Sequence, residues 1–237
     1  MTSAALVATL LRHGEVAGYA HAFLGERDPP LSAAGWAQMR AALASIDPHP
    51  YPLSRSRGRG ERRVRQRDGA GEPSGSVDVP PITALACSPL ARCRAFAEGL
   101  ARERRLGLDV LPALAEMRFG EWEGLTNAEV EARDAARLAA FQADPSRAGP
   151  PGGEHYPDFE RRVREGFAAW TSARCGHALV VTHAGVIRAL LADCLRLPPA
   201  RLARIALPPA ATCRLSLLEG EPPLLLALNF AARPCAA

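Results

Sequence analysis

The sequence predicts an α/β fold of three layers, with helices on both faces of a mainly parallel central sheet. Short apolar runs of strand length alternate with longer stretches of helical periodicity, a pattern typical of crossover units. Several apolar runs stop abruptly at polar residues. The carboxyl ends of parallel strands share one edge of a sheet, and ligands bind outside that edge. The 237 residues are expected to form a single domain.

Each element follows from its apolar pattern and from local start or stop signals. Residues 6–11 are an apolar run that ends before Arg12, and Ser32 is a suitable N-cap for the helix after it. The last two strands are joined by a short turn, so they are able to form an antiparallel edge. The predicted strands are residues 6–11, 82–87, 108–111, 178–182, 212–218 and 224–230, and the predicted helices are residues 33–45, 90–104, 127–140, 158–171 and 186–195.

Composition indicates an ordinary soluble globular protein. Hydrophobic residues make up 48% of the chain and charged residues 23%, and there is no apolar run long enough to cross a membrane. The first residues lack the basic start of a secretory signal, so the cytoplasm is the expected location. The six cysteines show no CxxC pair, so no structural zinc site is predicted.

The positive charge is concentrated in one segment. Residues 55–68 carry seven arginines and two acidic residues, Glu61 and Asp68, so the local charge of this segment is +5. The net charge of the whole chain is +4, so the remainder is close to neutral. This Arg/Gly-rich insertion, at about residues 50–80, has hardly any apolar residues and is expected to be a disordered loop. An electrostatic role in attracting an anionic substrate or RNA is the alternative, although no aromatic residues are interleaved for base stacking.

Two histidines stand in the same unusual context. His13 and His183 each follow an apolar strand and lie close before a glycine. A single histidine is more often a packed or surface residue, but a repeated context favours function. Arg12 strengthens this interpretation because a charged side chain at a strand end is costly to place for packing alone. Four further residues are expected to support the pair. Gly14, Glu15 and Thr182 lie within two residues of a histidine in the sequence, and Ser88 follows the strand at 82–87.

A third strand end leads into a helix with Arg92 in its first turn. Free backbone N–H groups and the helix dipole favour an anion at such a position, and a guanidinium adds further positive charge. An arginine at a helix start is equally compatible with a structural role when taken alone. The convergence of Arg12, Arg92 and the two histidines on one sheet edge predicts an anion site.

Four segments, in this order and spacing, resemble the histidine phosphatase superfamily, also called the phosphoglycerate mutase-like family. Together they extend from about residue 6 to residue 191. The RHG triplet alone is a weak signal, whereas the four segments together are specific. The segments are Arg12-His13-Gly14-Glu15, Ser88-Pro89-Leu90 with Arg92, the acidic Gly-rich loop at 116–124, and Thr182-His183-Ala184-Gly185.

The resemblance implies phosphoryl transfer through a histidine, on a phosphoglycerate mutase-like fold. His13 corresponds to the nucleophile, and Arg12, Arg92 and His183 to the groups that hold the phosphoryl oxygens. These groups replace the metal of many phosphotransferases, so no metal or other cofactor is implied. Glu116 starts the segment that resembles the acid-bearing loop of the family and is the expected proton donor. Its competitors are Glu121 and Glu123.

Within the superfamily, the likeness is greatest to the α-ribazole-5′-phosphate phosphatases of cobalamin synthesis. Residues 25–38, 119–124 and 150–154 carry it, while Gly18 and Tyr19 argue against a glycolytic mutase. The expected partner is a small-molecule phosphate ester, and a homodimer is left open. One alternative is a broad-specificity sugar or glycerate phosphatase. The other is a non-catalytic protein of the same fold that binds an anion or RNA.

Overall fold

The computed structural model describes residues 5–46 and 79–230, and the predicted insertion at about residues 50–80 lies almost entirely outside them. Every predicted strand and helix is present, with ends that differ by up to three residues. None of the helices in the described ranges has the length and apolarity of a membrane span. In chain order the elements are β1 (Leu6–Arg12), α1 (Ala33–Ile46), β2 (Ala84–Cys87), α2 (Ala91–Arg104), β3 (Leu108–Val110), α3 (Asn127–Ala143), α4 (Tyr156–Thr171), β4 (Gly176–Thr182), α5 (Ala184–Leu195), β5 (Thr212–Leu217) and β6 (Leu224–Leu228).

The six strands form one mixed sheet in the order β3-β2-β4-β1-β5-β6. The four strands from β3 to β1 run parallel, and β5 and β6 form the antiparallel edge that the sequence allows. Arg12 at the end of β1 pairs in register with Thr182 at the end of β4. The two central strands therefore end side by side.

Alternation of side chains along the strands divides the core into two parts, one on each face of the sheet. Leu10 and Val180 pack on one face with α4 and α5. Leu11 and Val181 pack on the other face with α1 and α2. The helices after β1 and β4 thus lie on opposite faces, which opens a crevice at the carboxyl edge between these strands. The predicted three-layer α/β/α architecture is confirmed.

The first turn of α1 contacts the end of β1 through two glycines. A Cβ placed on Gly14 would lie 2.2 Å from the carbonyl oxygen of Gly35, so neither strand end nor helix tolerates a side chain here. Ser32 accepts a hydrogen bond from the Gly35 N–H at 3.0 Å, as expected of an N-cap. Ser32 also donates to the Glu15 carboxylate at 2.8 Å. Gly14 and Glu15 therefore fix α1 against the strand end that carries His13.

Candidate active site

The strand register brings the two predicted histidines together. The backbone N–H of His13 donates to the backbone carbonyl of Thr182 at 2.9 Å. This hydrogen bond continues the β1–β4 ladder by one residue. The imidazole rings of His13 and His183 follow directly, with centroids 5.3 Å apart and planes inclined by 64°. Thr182 is fully buried, and its hydroxyl donates to the Leu114 carbonyl at 3.0 Å. Two residues distant in sequence thus share one crevice.

The surroundings of His13 keep its ring neutral and fix its tautomer. His13 is 5% exposed, and its ring Nδ1 lies 2.8 Å from the Gly14 carbonyl oxygen. A carbonyl only accepts, so Nδ1 carries the proton and Nε2 keeps a free lone pair. Burial, with the charges of Arg92 and Arg12, lowers the pKa of His13 to about 3. The imidazole is therefore neutral at neutral pH, and its Nε2 is a potential nucleophile.

His183 is completely buried and also neutral. Its Nε2 shares a 2.7 Å hydrogen bond with the Ser88 hydroxyl. The Cys93 thiol lies 3.6 Å from the same nitrogen and donates to the Thr182 carbonyl. Burial, followed by the Arg92 charge, lowers the pKa of His183 well below its usual value. Ser88 and Cys93 hold the ring against the side chain of His13.

Arg92 lies in the first turn of α2, where the sequence places it, and is fully buried. Its guanidinium donates to the carbonyls of Arg27 at 2.6 Å and Gly25 at 2.9 Å. The Asp28 carboxylate accepts the backbone N–H of Ala91 at 2.6 Å and lies 3.5 Å from the guanidinium. Asp28 thus accepts part of the free backbone N–H groups at the start of α2. The positive group that remains to bind an external anion here is the guanidinium of Arg92.

Two guanidinium N–H groups in the crevice are buried and unsatisfied. The Nε atoms of Arg12 and Arg92 have no hydrogen-bond partner among the described residues. One terminal nitrogen of Arg12 donates to the Leu207 carbonyl, which ties the side chain to the loop before β5. A buried donor without a partner costs free energy, so such groups call for an acceptor. An oxyanion between the arginines and histidines would supply it.

Glu116 lies in the loop after β3, and its carboxylate reaches the first turn of α5, which begins directly after His183. Its carboxylate accepts the N–H of Gly185 at 3.2 Å and that of Met117 at 3.0 Å. It also interacts electrostatically with Arg12 across the crevice. The structure therefore brings Glu116 to the site formed by the histidines and arginines.

The two competing carboxylates lie elsewhere. Glu121 is exposed in a short 3-10 helix. Glu123 accepts the N–H groups of Glu26 at 3.0 Å, Arg27 at 3.2 Å and Phe119 at 3.0 Å. Its carboxylate therefore fixes the loop that carries the carbonyl partners of Arg92.

Sequence reasoning missed a partly buried ion pair that holds the backbone at Glu116 in place. Arg162 on α4 forms a two-point contact with Glu154 at 2.7 and 2.9 Å. The same guanidinium donates to the carbonyls of Ala113, Ala115 and Glu116 at 2.8 to 3.1 Å. Glu154 is 9% exposed, which indicates that it is more than a turn residue before a helix.

A signal for this pair was present in the sequence. Arg162 follows Phe159 by three residues and precedes Val163, so it falls beside the buried stripe of α4. A charged residue at such a position needs a partner. The identity of the partner depends on the fold.

The described residues contain no group of three or more His, Cys, Asp and Glu side chains arranged to hold a metal ion.

Comparison with known proteins identifies the family. A family model described as the histidine phosphatase superfamily (branch 1) matches residues 74–229, which include Arg92, Glu116 and His183. The chain is 33% identical over 142 residues to the adenosylcobalamin/alpha-ribazole phosphatase of Salmonella typhimurium. This alignment covers 59% of the chain and 70% of the relative.

Solved structures share the fold along nearly the whole chain. The alpha-ribazole phosphatase from Shigella flexneri superposes with a TM-score of 0.70 at 22% identity, covering 98% of this chain and 100% of that one. The mycobacterial glucosyl-3-phosphoglycerate phosphatase in complex with VO3 superposes with a TM-score of 0.70 at 24% identity, covering 96% and 99%. At these identities the likeness concerns the fold.

Proposed function

Because the chain belongs to the histidine phosphatase superfamily, we propose that it is a phosphomonoesterase that works through a phosphohistidine on His13. The observation that carries this proposal is the pair of neutral, buried imidazoles beside two unsatisfied arginine N–H groups. Such a crevice offers a nucleophile and fixed positive charge for the three equatorial oxygens of a phosphoryl group. The arginines supply the charge that a metal supplies in many phosphotransferases, so turnover is expected to persist in EDTA.

The reaction takes two steps. In the first, the lone pair on Nε2 of His13 attacks phosphorus and the bond to the ester oxygen breaks. Glu116, in its carboxylic acid form, gives a proton to the departing oxygen, so the alcohol leaves neutral. Arg12, Arg92 and His183 hold the phosphoryl oxygens throughout. In the second step, Glu116 takes a proton from water, the water oxygen attacks phosphorus, and the bond from phosphorus to His13 breaks to release phosphate.

For the substrate we favour α-ribazole 5′-phosphate. This choice is supported by the sequence relative named above, which is more than 30% identical and carries alpha-ribazole phosphatase in its name. A sugar or glycerate phosphate is the second candidate, supported by the fold shared with the glucosyl-3-phosphoglycerate phosphatase. A phosphate-release screen that contains all three ester classes distinguishes them through kcat/KM.

The test of the chemistry is a matched pair of asparagine variants. His13→Asn removes the nucleophile, whereas His21→Asn changes an exposed histidine on a loop whose backbone conformation asparagine also tolerates. We expect His13→Asn to lower kcat for p-nitrophenyl phosphate in EDTA by on the order of 10⁴-fold and His21→Asn to leave it unchanged. Undiminished hydrolysis by His13→Asn would refute the proposal. Absence of any hydrolysis by the unaltered protein would favour a non-catalytic anion-binding protein.

A further inference from the structure

The large apolar side chains at the surface are concentrated at one edge of the sheet. Within the ranges that the structure describes, the exposed large hydrophobic residues are four leucines, between 36% and 62% exposed. One ends α5, two flank the turn between β5 and β6, and one ends β6. The Cys194 thiol donates to the Pro223 carbonyl at 2.9 Å, which fixes the end of α5 beside the start of β6. A concentration of this kind marks an interaction surface. The four residues are Leu195, Leu218, Leu224 and Leu228.

β6 is an edge strand, and its sequence lacks the charges that protect such edges. It is the last strand in the sheet order, and Leu224–Leu228 contains no charged residue and no proline. The opposite edge strand, β3, has only three residues, and one of them is Asp109. The Asp109 carboxylate accepts hydrogen bonds from Trp170 and Arg174, both at 2.8 Å. Short strands and charges prevent edges from pairing, so β3 is protected whereas β6 is open to another strand.

The chain leaves β6 on the side of β5 and not along the open edge. The backbone N–H of Asn229 donates to the Thr212 carbonyl at 2.7 Å, and its side chain donates to the Ala206 carbonyl at 2.8 Å. The ring of Phe230 then lies under the guanidinium of Arg214 on β5, with the ring centroid 4.3 Å from the guanidinium carbon. The residues directly after β6 are therefore directed inwards, and a second chain is the more direct source of a strand for the open edge.

Opposite charges flank the two ends of β6. The turn before the strand contains Glu219 and Glu221. After the strand, the side-chain contact of Asn229 places the end of β6 next to residues 195–206, which contain three arginines and no acidic residue. Arg204 is the nearest of these arginines in sequence to that contact, and it is exposed. An antiparallel pair of β6 strands brings the acidic end of each beside the basic end of the other, whereas a parallel pair would bring like charges together.

We propose that two copies of this chain associate through β6, which pairs antiparallel with the β6 of the other copy about a two-fold axis. The two sheets then form one continuous sheet, and the exposed leucines are buried between the copies. Glu221 of each copy lies near Arg204 of the other. β6 carries a bulge at Leu226, where its register with β5 shifts, and a bulge bends a strand. The paired segment is therefore short, and we expect a dissociation constant on the order of 10 µM.

Sedimentation equilibrium of the unaltered protein between about 1 and about 200 µM tests the association. We expect a reversible equilibrium between a monomer and a dimer. A monomer at every concentration would overturn the proposal. Association that appears only after removal of the residues beyond Phe230 would identify the chain's own C-terminal residues as the occupant of the edge, and would also overturn it.

Two lysine variants locate the interface. Leu224 is the most exposed of the four leucines, so Leu224→Lys charges the edge strand without altering the core, and it should keep the protein monomeric. The matched control, Ala139→Lys, adds the same charge at an exposed position of α3 and should leave the dissociation constant unchanged. A dimer that persists in Leu224→Lys would place the interface elsewhere. Loss of the dimer in both variants would show an effect of net charge, and either result would refute the proposal.

A charge exchange tests the antiparallel arrangement without touching an apolar residue. Glu221→Arg and Arg204→Glu each bring like charges together across the interface, so each should weaken association by about tenfold. The double variant restores opposite charges and should recover the dissociation constant of the unaltered protein. Losses that simply add in the double variant, or single variants without effect, would refute antiparallel pairing through β6.

Hydrogen exchange read by mass spectrometry tests the same edge in the unaltered protein. Amides of the peptide that contains Leu224–Leu228 should exchange more slowly when the protein concentration is raised above the dissociation constant. The peptide that contains β3 is the internal control, and its exchange should not depend on concentration. Exchange of the β6 peptide that is independent of concentration, in a protein that dimerises, would show that the copies meet elsewhere and would overturn the proposal.

Discussion

Gly185→Ala should displace the carboxylate of Glu116 and so separate proton donation from the rest of catalysis. A Cβ at Gly185 would lie 2.2 Å from Oε1 of Glu116, whereas ordinary van der Waals contact starts at 3.4 Å. The carboxylate therefore has to retreat by about 1.2 Å, the difference between these two distances. A displacement of about 1 Å of a reacting group costs on the order of 100-fold in rate. We expect a loss of this size in kcat for an alkyl phosphate, whose leaving oxygen needs a proton.

The assay compares ethyl phosphate with p-nitrophenyl phosphate under the same conditions. The p-nitrophenolate ion leaves without a proton, so its release in the first turnover, measured by rapid mixing, should slow by less than about fivefold in Gly185→Ala. Steady-state turnover is not compared, because hydrolysis of the phosphohistidine also uses Glu116, as the base, with either ester. The control is Gly99→Ala in α2, where an added Cβ meets no atom within 4 Å. This control should keep both rates and gain about 0.5 to 1 kcal/mol in the free energy of unfolding. Equal losses in the rate of alcohol release in the first turnover of both esters, or no loss for ethyl phosphate, would refute the reasoning about Glu116.

Three further predictions concern the arginines, the buried imidazole and the ion pair on α4. Arg92→Lys loses the planar donor set that spans two carbonyls, so kcat/KM should fall by about 100-fold or more, and a loss below tenfold would contradict its role in holding phosphate. Folding depresses the pKa of His13, so between pH 6.5 and about 3 the unfolded chain binds a proton that the folded chain does not. The free energy of unfolding, measured by urea titration, should therefore decrease on acidification in both the unaltered protein and His13→Asn, and more steeply in the unaltered protein. The two slopes should differ by ~1.4 kcal/mol per pH unit, whereas equal slopes would contradict the lowered pKa of His13. Glu154→Gln leaves Arg162 without its charge partner and should lower the free energy of unfolding by about 2 kcal/mol, whereas an unchanged urea midpoint would show that the ion pair contributes nothing to stability.

The sheet could be predicted well because its strands are short apolar runs with clear ends. β1 and β4 were located within two residues, and the closing pair forms the antiparallel edge expected from its short connection. The common edge of His13 and His183 follows from the rule that carboxyl ends of parallel strands meet. Their adjacency also needs the strand order, which the apolar pattern does not determine: β4 lies between β2 and β1, although it is the fourth strand in the chain.

The supporting contacts could not be predicted because they join loops through tertiary packing. Asp28 and Arg92 are far apart in sequence, and no local pattern relates a loop carboxylate to a helix start beyond it. Glu116 and Glu123 lie in one short loop, yet only the fold turns the first towards α5 and the second towards residues 26 and 27. A cavity beside Glu116 likewise collects rings from separate elements that look like independent core positions in the sequence, among them Phe23, Phe141 and Phe159.

The most direct test of the account is to trap the phosphorylated enzyme. The unaltered protein is mixed with excess p-nitrophenyl phosphate and quenched in alkali within a turnover, because phosphohistidine survives base and hydrolyses in acid. Peptide mass spectrometry should then find one added phosphoryl group on the peptide that contains His13 and none on the peptide that contains His183. A phosphoryl group on His183 would contradict the central claim that His13 is the nucleophile. The claim would also be contradicted if both the unaltered protein and Glu116→Gln turned over the ester and neither gave a phosphorylated peptide.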